Sequence, residues 1–113
     1  MITKRGEVWW ADSNPTRGSE QSGMRPVIIF QNDFINRFTT TVIAIPLTTN
    51  LRRASLPSCL FIAQGEGGLT EDSVALCHQV RVLDKSRLQR RSGELRLQVL
   101  NTLETKMLFT MGY

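Results

Sequence analysis

The chain has 113 residues, of which 41% are hydrophobic and 21% charged, a balance typical of a globular protein. This length suits a single domain over residues 1–113 and excludes two domains of ordinary size. Lys and Arg outnumber Asp and Glu by 14 to 10, and the net charge of +4 favours a polyanionic partner, either nucleic acid or an acidic protein segment. No run is apolar enough to span a bilayer or to act as a secretion signal, so a cytoplasmic location is expected.

The first half of the chain predicts three strands, each rich in β-branched or aromatic residues and bounded by turn residues. These strands cover residues 7–11, 27–30 and 39–47. Pro26 marks the start of the second strand, and Pro46 is expected to break the far end of the third. Asp33 is expected to cap one helical turn over residues 33–38. The polar segment between the first two strands is a long loop, a type of segment that often carries function.

The second half predicts two further strands and a terminal helix. The strands cover residues 59–62 and 73–82, with a glycine-rich turn at 64–68 between them. Alternation along the second of these strands puts His78 in an apolar row. A capped helical turn is expected at residues 84–88 and a longer helix with Ser92 as its cap. Its apolar stripe is formed by Leu95, Val99, Leu103 and Met107, widened by Leu100, Leu108 and Met111.

This order of elements predicts a mainly β protein. Five or more short strands with loops about ten residues apart, followed by one long helix, favour a small curled antiparallel sheet or partly open barrel with a C-terminal α-helix. Only one helix is long enough for a crossover, so a parallel α/β fold is not expected. A barrel of this size has little interior space, and we expect function to lie on the loops at its mouth.

The cysteine and histidine content predicts neither a metal site nor a disulfide. Cys59 and Cys77 form no CxxC motif, and His78 is the only histidine, so no zinc pattern can be assembled. Both cysteines are expected to be reduced core residues. No cofactor is expected.

Arg25 is the first candidate for function. It stands at the mouth of the second strand beside the long loop, and its guanidinium is a planar fork of donors that matches phosphate or carboxylate. The alternative is a solvated arginine that pairs with a nearby carboxylate such as Glu20. Position alone leaves both interpretations open.

A dense and ordered set of motifs resembles a known family. The motifs are Gly6-Glu7-Val8-Trp9, Asn14-Pro15, Gly18-Ser19-Glu20-Gln21, Gly23, Arg25-Pro26-Val27, Gln31-Asn32-Asp33, the loop at Thr48, Asp72-Ser73, Gln79-Val80-Arg81 and Asp84-Lys85 with Arg87-Leu88. Together they resemble the MazF/PemK toxins of bacterial toxin–antitoxin modules. The resemblance covers residues 2 to about 90.

The resemblance implies an SH3-like barrel that forms a homodimer and acts as a metal-independent endoribonuclease on single-stranded RNA. It also implies a cognate antitoxin with an acidic, disordered tail. The family's catalytic arginine and threonine correspond to Arg25 and Thr48. Residues in positions that contact substrate, or in the loop that grips RNA, are Arg17, Ser19, Glu20 and Gln79.

The chemistry of these residues agrees with such a reaction. Attack of a ribose 2′-hydroxyl on its own phosphate needs donors aimed at the charge that accumulates there, and Arg25 suits this task. Thr48 can donate to the same phosphate or orient the attacking group, although a loop threonine more often caps a turn. The proton acceptor is left open between Glu20 and a hydroxyl network. His78 has a suitable pKa, but its apolar row favours a core or groove-wall residue.

Several arginines are expected to supply affinity for RNA that does not depend on its sequence. They are Arg17, Arg25, Arg52, Arg53 and Arg81. Two alternatives remain: a non-catalytic barrel toxin that inhibits a protein target such as gyrase, and an inactive relative that only binds its antitoxin. Related barrels inhibit such protein targets, so the fold does not separate a barrel toxin of this kind from the ribonuclease.

Overall fold

The computed structural model describes residues 2–12 and 23–113. In this part of the chain, seven strands and two α-helices follow one another. They are β1 (Glu7–Asp12), β2 (Met24–Ile29), α1 (Asp33–Asn36), β3 (Thr41–Thr48), β4 (Cys59–Ile62), β5 (Ser73–Leu76), β6 (Arg81–Asp84), β7 (Leu88–Glu94) and α2 (Leu97–Met111). Short 3₁₀ turns lie at Leu51–Ser55, Glu66–Gly68, Cys77–Gln79 and Lys85–Arg87. Within these residues no helix combines the length and apolar character needed to cross a membrane.

The strands form one antiparallel sheet in the order β4-β5-β3-β2-β1-β7, and β6 also pairs with β3. The sheet curls until the turn between β4 and β5 meets β7. There, Ser92 Oγ donates a hydrogen bond to the Gly67 carbonyl oxygen at 2.9 Å. The predicted fold, a small and partly open SH3-like barrel with a C-terminal helix, is confirmed.

Successive strand residues point to opposite faces of the sheet, so its two faces carry separate groups of buried side chains. On one face, Val8, Ile28 and Ile45 pack with Leu103 and Met107 of α2. On the other face, a second group fills the curl of the sheet. Its members are Trp9, Ala11, Val27, Ile29, Val42, Ala44, Leu83 and Leu88. A smaller third group, Cys59, Val74 and Leu76, joins β4 to β5.

The helix differs from its prediction at both ends. Ser92 does not cap it, because residues 92 and 93 belong to β7, where Gly93 pairs with Val8, and α2 begins only at Leu97. Leu103 and Met107 are buried as predicted, whereas Leu108 and Met111 are 54% and 62% exposed. Sheet pairing therefore outweighs the local capping signal, and the apolar stripe is narrower than the sequence indicated.

The predicted strand over residues 73–82 is interrupted. Ser73–Leu76 and Arg81–Asp84 both pair with β3, but the 3₁₀ turn Cys77–Gln79 separates them. The interruption lies opposite Ile45 and Pro46, and Pro46 has no N–H to offer on that edge. The prediction that Pro46 breaks β3 was also wrong, because β3 continues to Thr48 by changing its partner from β6 to β5.

Of two smaller predictions about local structure, the structure corrects the first and agrees with the second. The cap of α1 is Asn32 rather than Asp33, since Asn32 Oδ1 accepts from the Phe34 N–H at 2.7 Å. The cysteines Cys59 and Cys77 are buried free thiols, as expected of core residues. Burial, followed by the neighbouring Cys59, raises the pKa of the Cys77 thiol to about 11.

Glu7 has a buried carboxylate that links β1 to neighbouring residues through hydrogen bonds. Its Oε1 accepts from the Lys4 N–H and from Trp9 Nε1, each at 2.9 Å, and its Oε2 accepts from Arg91 Nε at 2.9 Å. Burial alone would raise the pKa of Glu7, but the hydrogen bonds from Trp9, Arg91 and Lys4 outweigh it and hold the pKa below its ordinary value. The ionised form therefore stabilises the fold.

We expect Glu7→Gln to lower the free energy of unfolding at pH 7 by roughly 1–3 kcal/mol, because a charged acceptor is lost from a buried network. Since the folded-state pKa lies below the unfolded value of about 4.3, this contribution is complete above that value and is lost as the pH falls through the folded-state pKa. Urea unfolding of both proteins between pH 7 and about 3 measures it. The difference should shrink with falling pH; a constant difference would contradict the assignment.

Candidate active site

The site lies where β2 and β3 separate. The last pair in their ladder is Val27 with Pro46, after which β2 continues beside β1 and β3 continues beside β5. Arg25 and Thr48 each lie two residues beyond that last pair. Directly opposed residues of an antiparallel pair point to the same face, and the face repeats every second residue. The register therefore brings Arg25 and Thr48 to the same gap, although 22 residues of sequence separate them.

Two cavities meet at this gap. The first, which we call the arginine cavity, has a volume of about 270 Å³ and is lined by Arg25, Thr48, Arg53, Gln79 and Arg81 together with apolar residues. The second, which we call the glutamate cavity, has a volume of about 340 Å³ and is lined by Trp10, Arg25, Thr48, Thr49, Thr70 and Glu71 among others. Arg25 and Thr48 are the polar residues common to both.

The arginine cavity is strongly cationic. Arg25, Arg53 and Arg81 line it, and among the residues that the structure describes none of its lining residues is acidic. Arg81 Nε approaches the Gln79 carbonyl oxygen at 3.5 Å, and Arg25 Nη1 donates to the Met24 carbonyl oxygen at 3.0 Å. Guanidinium groups gathered around a cavity without a carboxylate favour binding of phosphate or another polyanion.

The hydroxyl of Thr48 already accepts one hydrogen bond within the fold. Its Oγ1 accepts from the Asn50 N–H at 3.2 Å, which is the turn contact expected of a loop threonine. This bond fixes the oxygen while the hydroxyl proton remains available to donate, since a hydroxyl has one donor and two acceptor positions. The turn contact and a role at the gap are therefore compatible.

The 3₁₀ turn Cys77–Gln79 explains the position of Gln79. In a continuous strand, residue 79 would follow the alternation of its neighbours, whereas the turn brings its side chain to the lining of the arginine cavity. Interruptions of this kind often re-aim a side chain at a site. No local pattern predicts this turn, because the alternation of a strand continues across residues 77–79.

His78 lies outside both cavities, and the prediction that it belongs to an apolar row was wrong. It is exposed in the same 3₁₀ turn, with its Nδ1 3.0 Å from Ser58 Oγ and 3.9 Å from Cys59 Sγ. Of the remaining predicted residues, Arg17, Ser19 and Glu20 lie outside the described residues. Arg52 does not line either cavity, whereas its neighbour Arg53 does.

A larger cavity of about 640 Å³ lies at the other end of β3, lined by residues that include Thr3, Arg37 and Lys85. It contains none of the predicted site residues. The described part of the chain has no group of three His, Cys, Asp or Glu side chains arranged to hold a metal ion.

Comparison with known proteins shows the family of this chain. A family profile described as the PemK-like, MazF-like toxin of type II toxin-antitoxin systems matches residues 4–109. The chain belongs to this family. It is 47% identical over 88 residues to endoribonuclease EndoA of Bacillus subtilis, a match that covers 78% of this chain and 76% of that protein. It is 43% identical to endoribonuclease MazF of Staphylococcus saprophyticus, over 78% of this chain and 73% of that protein.

Solved structures share the fold of this PemK-like, MazF-like chain. MazF from Deinococcus radiodurans superposes with a TM-score of 0.80 at 24% identity and covers 100% of this chain and 99% of that one. A mycobacterial endoribonuclease solved in complex with its cognate antitoxin gives a TM-score of 0.79 at 24% identity and covers 96% and 93% of the two chains. The expected family resemblance is confirmed.

Within this family member, the sequence singled out Arg25 and Thr48 of the glutamate cavity, but it did not single out Glu71. Trp10 and Glu71 reach the gap because β1 pairs with β2 and because the loop before β5 lies beside the end of β3. Neither the pairing of β1 with β2 nor the position of the loop before β5 can be recognised from the local sequence. Glu71 stands beside Asp72 and Ser73 in the recognised motif, but nothing in its own spacing indicated a contact with Arg25 or Thr48.

Proposed function

We propose that this protein is the endoribonuclease toxin of a type II toxin–antitoxin module and that it cleaves single-stranded RNA without a metal ion. The observation that carries the proposal is the convergence of Arg25 and Thr48 at the rim of a cavity whose described lining residues include two further arginines and no carboxylate. Two curated relatives, at 47% and 43% identity, are named endoribonucleases, which supports the same conclusion.

In the proposed reaction the ribose 2′-hydroxyl attacks the adjacent phosphorus, the bond to the 5′-oxygen of the next nucleotide breaks, and the products carry a 2′,3′-cyclic phosphate and a 5′-hydroxyl. Arg25 binds two phosphate oxygens and stabilises the charge that builds up on them. Thr48 donates its hydroxyl proton to the same phosphate or orients the attacking oxygen. The group that accepts the 2′-proton stays open between Glu20 and a hydroxyl network.

Substrate binding is assigned in the same proposal to residues around these two. Gln79 and Arg81 line the arginine cavity and contact the nucleotides and phosphates next to the cut. The loop residues Arg17, Ser19 and Glu20, which lie outside the described residues, are proposed to contact the RNA as well.

The proposed partners are a cognate antitoxin, a second copy of the chain and RNA. An acidic antitoxin tail would compete with RNA for the arginine cavity, because both are polyanions. A second copy would cover the outer face of the β3–β6 pair, where Ile43 lies opposite Val82 and these residues and Val80 are 39%, 64% and 36% exposed. A single domain over residues 1–113 acting in the cytoplasm completes the proposal.

The test is cleavage of a mixed pool of single-stranded RNA by purified protein in the presence of EDTA. We expect cuts at a short sequence motif, with 5′-hydroxyl and cyclic phosphate ends identified by end-specific ligation. The same sequences annealed into duplexes should resist cleavage and serve as the control.

Two outcomes would contradict the proposal. Intact RNA after incubation with well-folded protein would favour the barrel toxin that inhibits a protein target. Products with 5′-phosphate ends would exclude attack by the 2′-hydroxyl.

A further inference from the structure

Glu71 differs from the other acidic residues of ranges 2–12 and 23–113, because its carboxylate makes no hydrogen bond or ion pair with any residue of these ranges. Seven other carboxylates in the described part of the chain each accept a hydrogen bond or join an ion pair: those of Glu7, Asp33, Glu66, Asp72, Asp84, Glu94 and Glu104. No such contact involves the Glu71 carboxylate. Its backbone, in contrast, is anchored, because the Glu71 carbonyl oxygen accepts from the Oγ of buried Ser73 at 3.0 Å.

The free carboxylate stands beside the two proposed catalytic residues. Glu71 lines the glutamate cavity together with Arg25 and Thr48, and the hydroxyl-bearing residues Thr49 and Thr70 line it as well. A phosphate held by Arg25 therefore lies at the junction of two cavities of different charge. The carboxylate disfavours a second phosphate on its side, whereas the arginine cavity favours one.

This difference in charge between the two cavities separates the phosphates of a bound RNA from its base. The RNA backbone continues through the arginine cavity, and a neutral base next to the scissile phosphate enters the glutamate cavity. Half-buried Trp10 adds an aromatic surface to that cavity, and aromatic side chains are common supports for splayed RNA bases. An ionised carboxylate only accepts hydrogen bonds, so it selects base edges that donate.

We propose that Glu71 determines sequence specificity by accepting a hydrogen bond from the amino edge of an unstacked base beside the cleaved bond. Cytosine, adenine and guanine carry an exocyclic amino group that donates to a carboxylate, whereas uracil presents carbonyl oxygens there. The inference rests on the proposed function, because it concerns which RNA sequences the same site cuts. Glu71 selects the base and takes no part in the proton transfers.

The test compares wild type with Glu71→Gln. Cut ends from a randomised single-stranded RNA pool first give the motif of each protein. For the selected position, kcat/KM is then measured on two oligonucleotides, one with the preferred base and one in which its amino group is replaced by hydrogen. We expect loss of the amino group to slow wild type on the order of tenfold. Glu71→Gln should reduce this penalty severalfold and tolerate uracil, since an amide both donates and accepts.

Glu94→Gln is the matched control, because it makes the same chemical change at an exposed position of β7 that lines neither cavity. It should keep the wild-type motif and the full amino-group penalty. If Glu71→Gln also keeps both, the inference is overturned while the proposed function stands. A uniform loss of rate on every sequence overturns it too, because the carboxylate would then act in the reaction itself. If wild type cuts no RNA, the proposed function fails, and the inference fails with it.

Discussion

Arg25→Ala is expected to leave the protein folded and to slow RNA cleavage by on the order of 10²–10³, because one preorganised donor to the developing phosphate charge is removed. The side chain is exposed at the gap between β2 and β3, and Pro26 and Val27 beside it carry the core packing. Single-turnover cleavage of a mapped RNA site in EDTA measures the rate, and urea unfolding measures the fold. The loss should fall mainly on the cleavage step.

Two further variants sharpen this result. Arg25→Lys keeps the charge but not the planar fork, so we expect it to recover only part of the rate. Arg37→Ala is the matched control, because Arg37 lines the cavity at the other end of β3 and stacks over Phe34 and Phe38. Wild-type cleavage by Arg25→Ala, or an equal loss in Arg37→Ala, would show that the arginine cavity does not hold the scissile phosphate.

Gly68→Ala is expected to destabilise the fold by roughly 3 kcal/mol or more. Gly68 has φ +75°, and a Cβ at this position would lie 2.1 Å from the Ser92 carbonyl oxygen. The positive φ costs an L-residue about 1–2 kcal/mol, and the contact with backbone adds to this because the β4–β5 turn must move away from β7. Urea unfolding at neutral pH measures the loss.

Gly65→Ala separates the two causes. Gly65 lies in the same turn with φ +96°, but a Cβ there meets no atom within 4 Å. This variant carries the backbone strain alone and should be clearly more stable than Gly68→Ala. Equal losses in the two variants would mean that contact between the turn and β7 does not support closure of the barrel.

Strands with strong local signals were predicted almost residue by residue. The boundaries of Cys59–Ile62 agree with the prediction, and β1 differs only by the addition of Asp12. Both segments are bounded by turn residues and need no information from distant parts of the chain. The positive φ of Gly65, Gly67 and Gly68 was likewise anticipated from the glycine-rich turn.

Two of the wrong predictions share a physical cause, which is pairing between distant segments. Ser92 is a good helix cap by its local sequence, yet residues 92 and 93 belong to β7, which pairs with β1. Residues 73–82 alternate as one strand, yet the stretch opposite Pro46 turns out of the ladder. In each case a sheet contact made far along the chain outweighs a local preference of about 1 kcal/mol.

The sequence by itself determined the mainly β class, the terminal helix and the family, and its ordered motifs singled out Arg25 and Thr48 as candidate site residues. Only the tertiary structure decided which residues share the site. The antiparallel register of β2 and β3 joins Arg25 to Thr48, and the pairing of β3 with β5 adds Glu71 from the loop before β5. Such neighbours are set by strand register over long sequence separations, which local patterns do not encode.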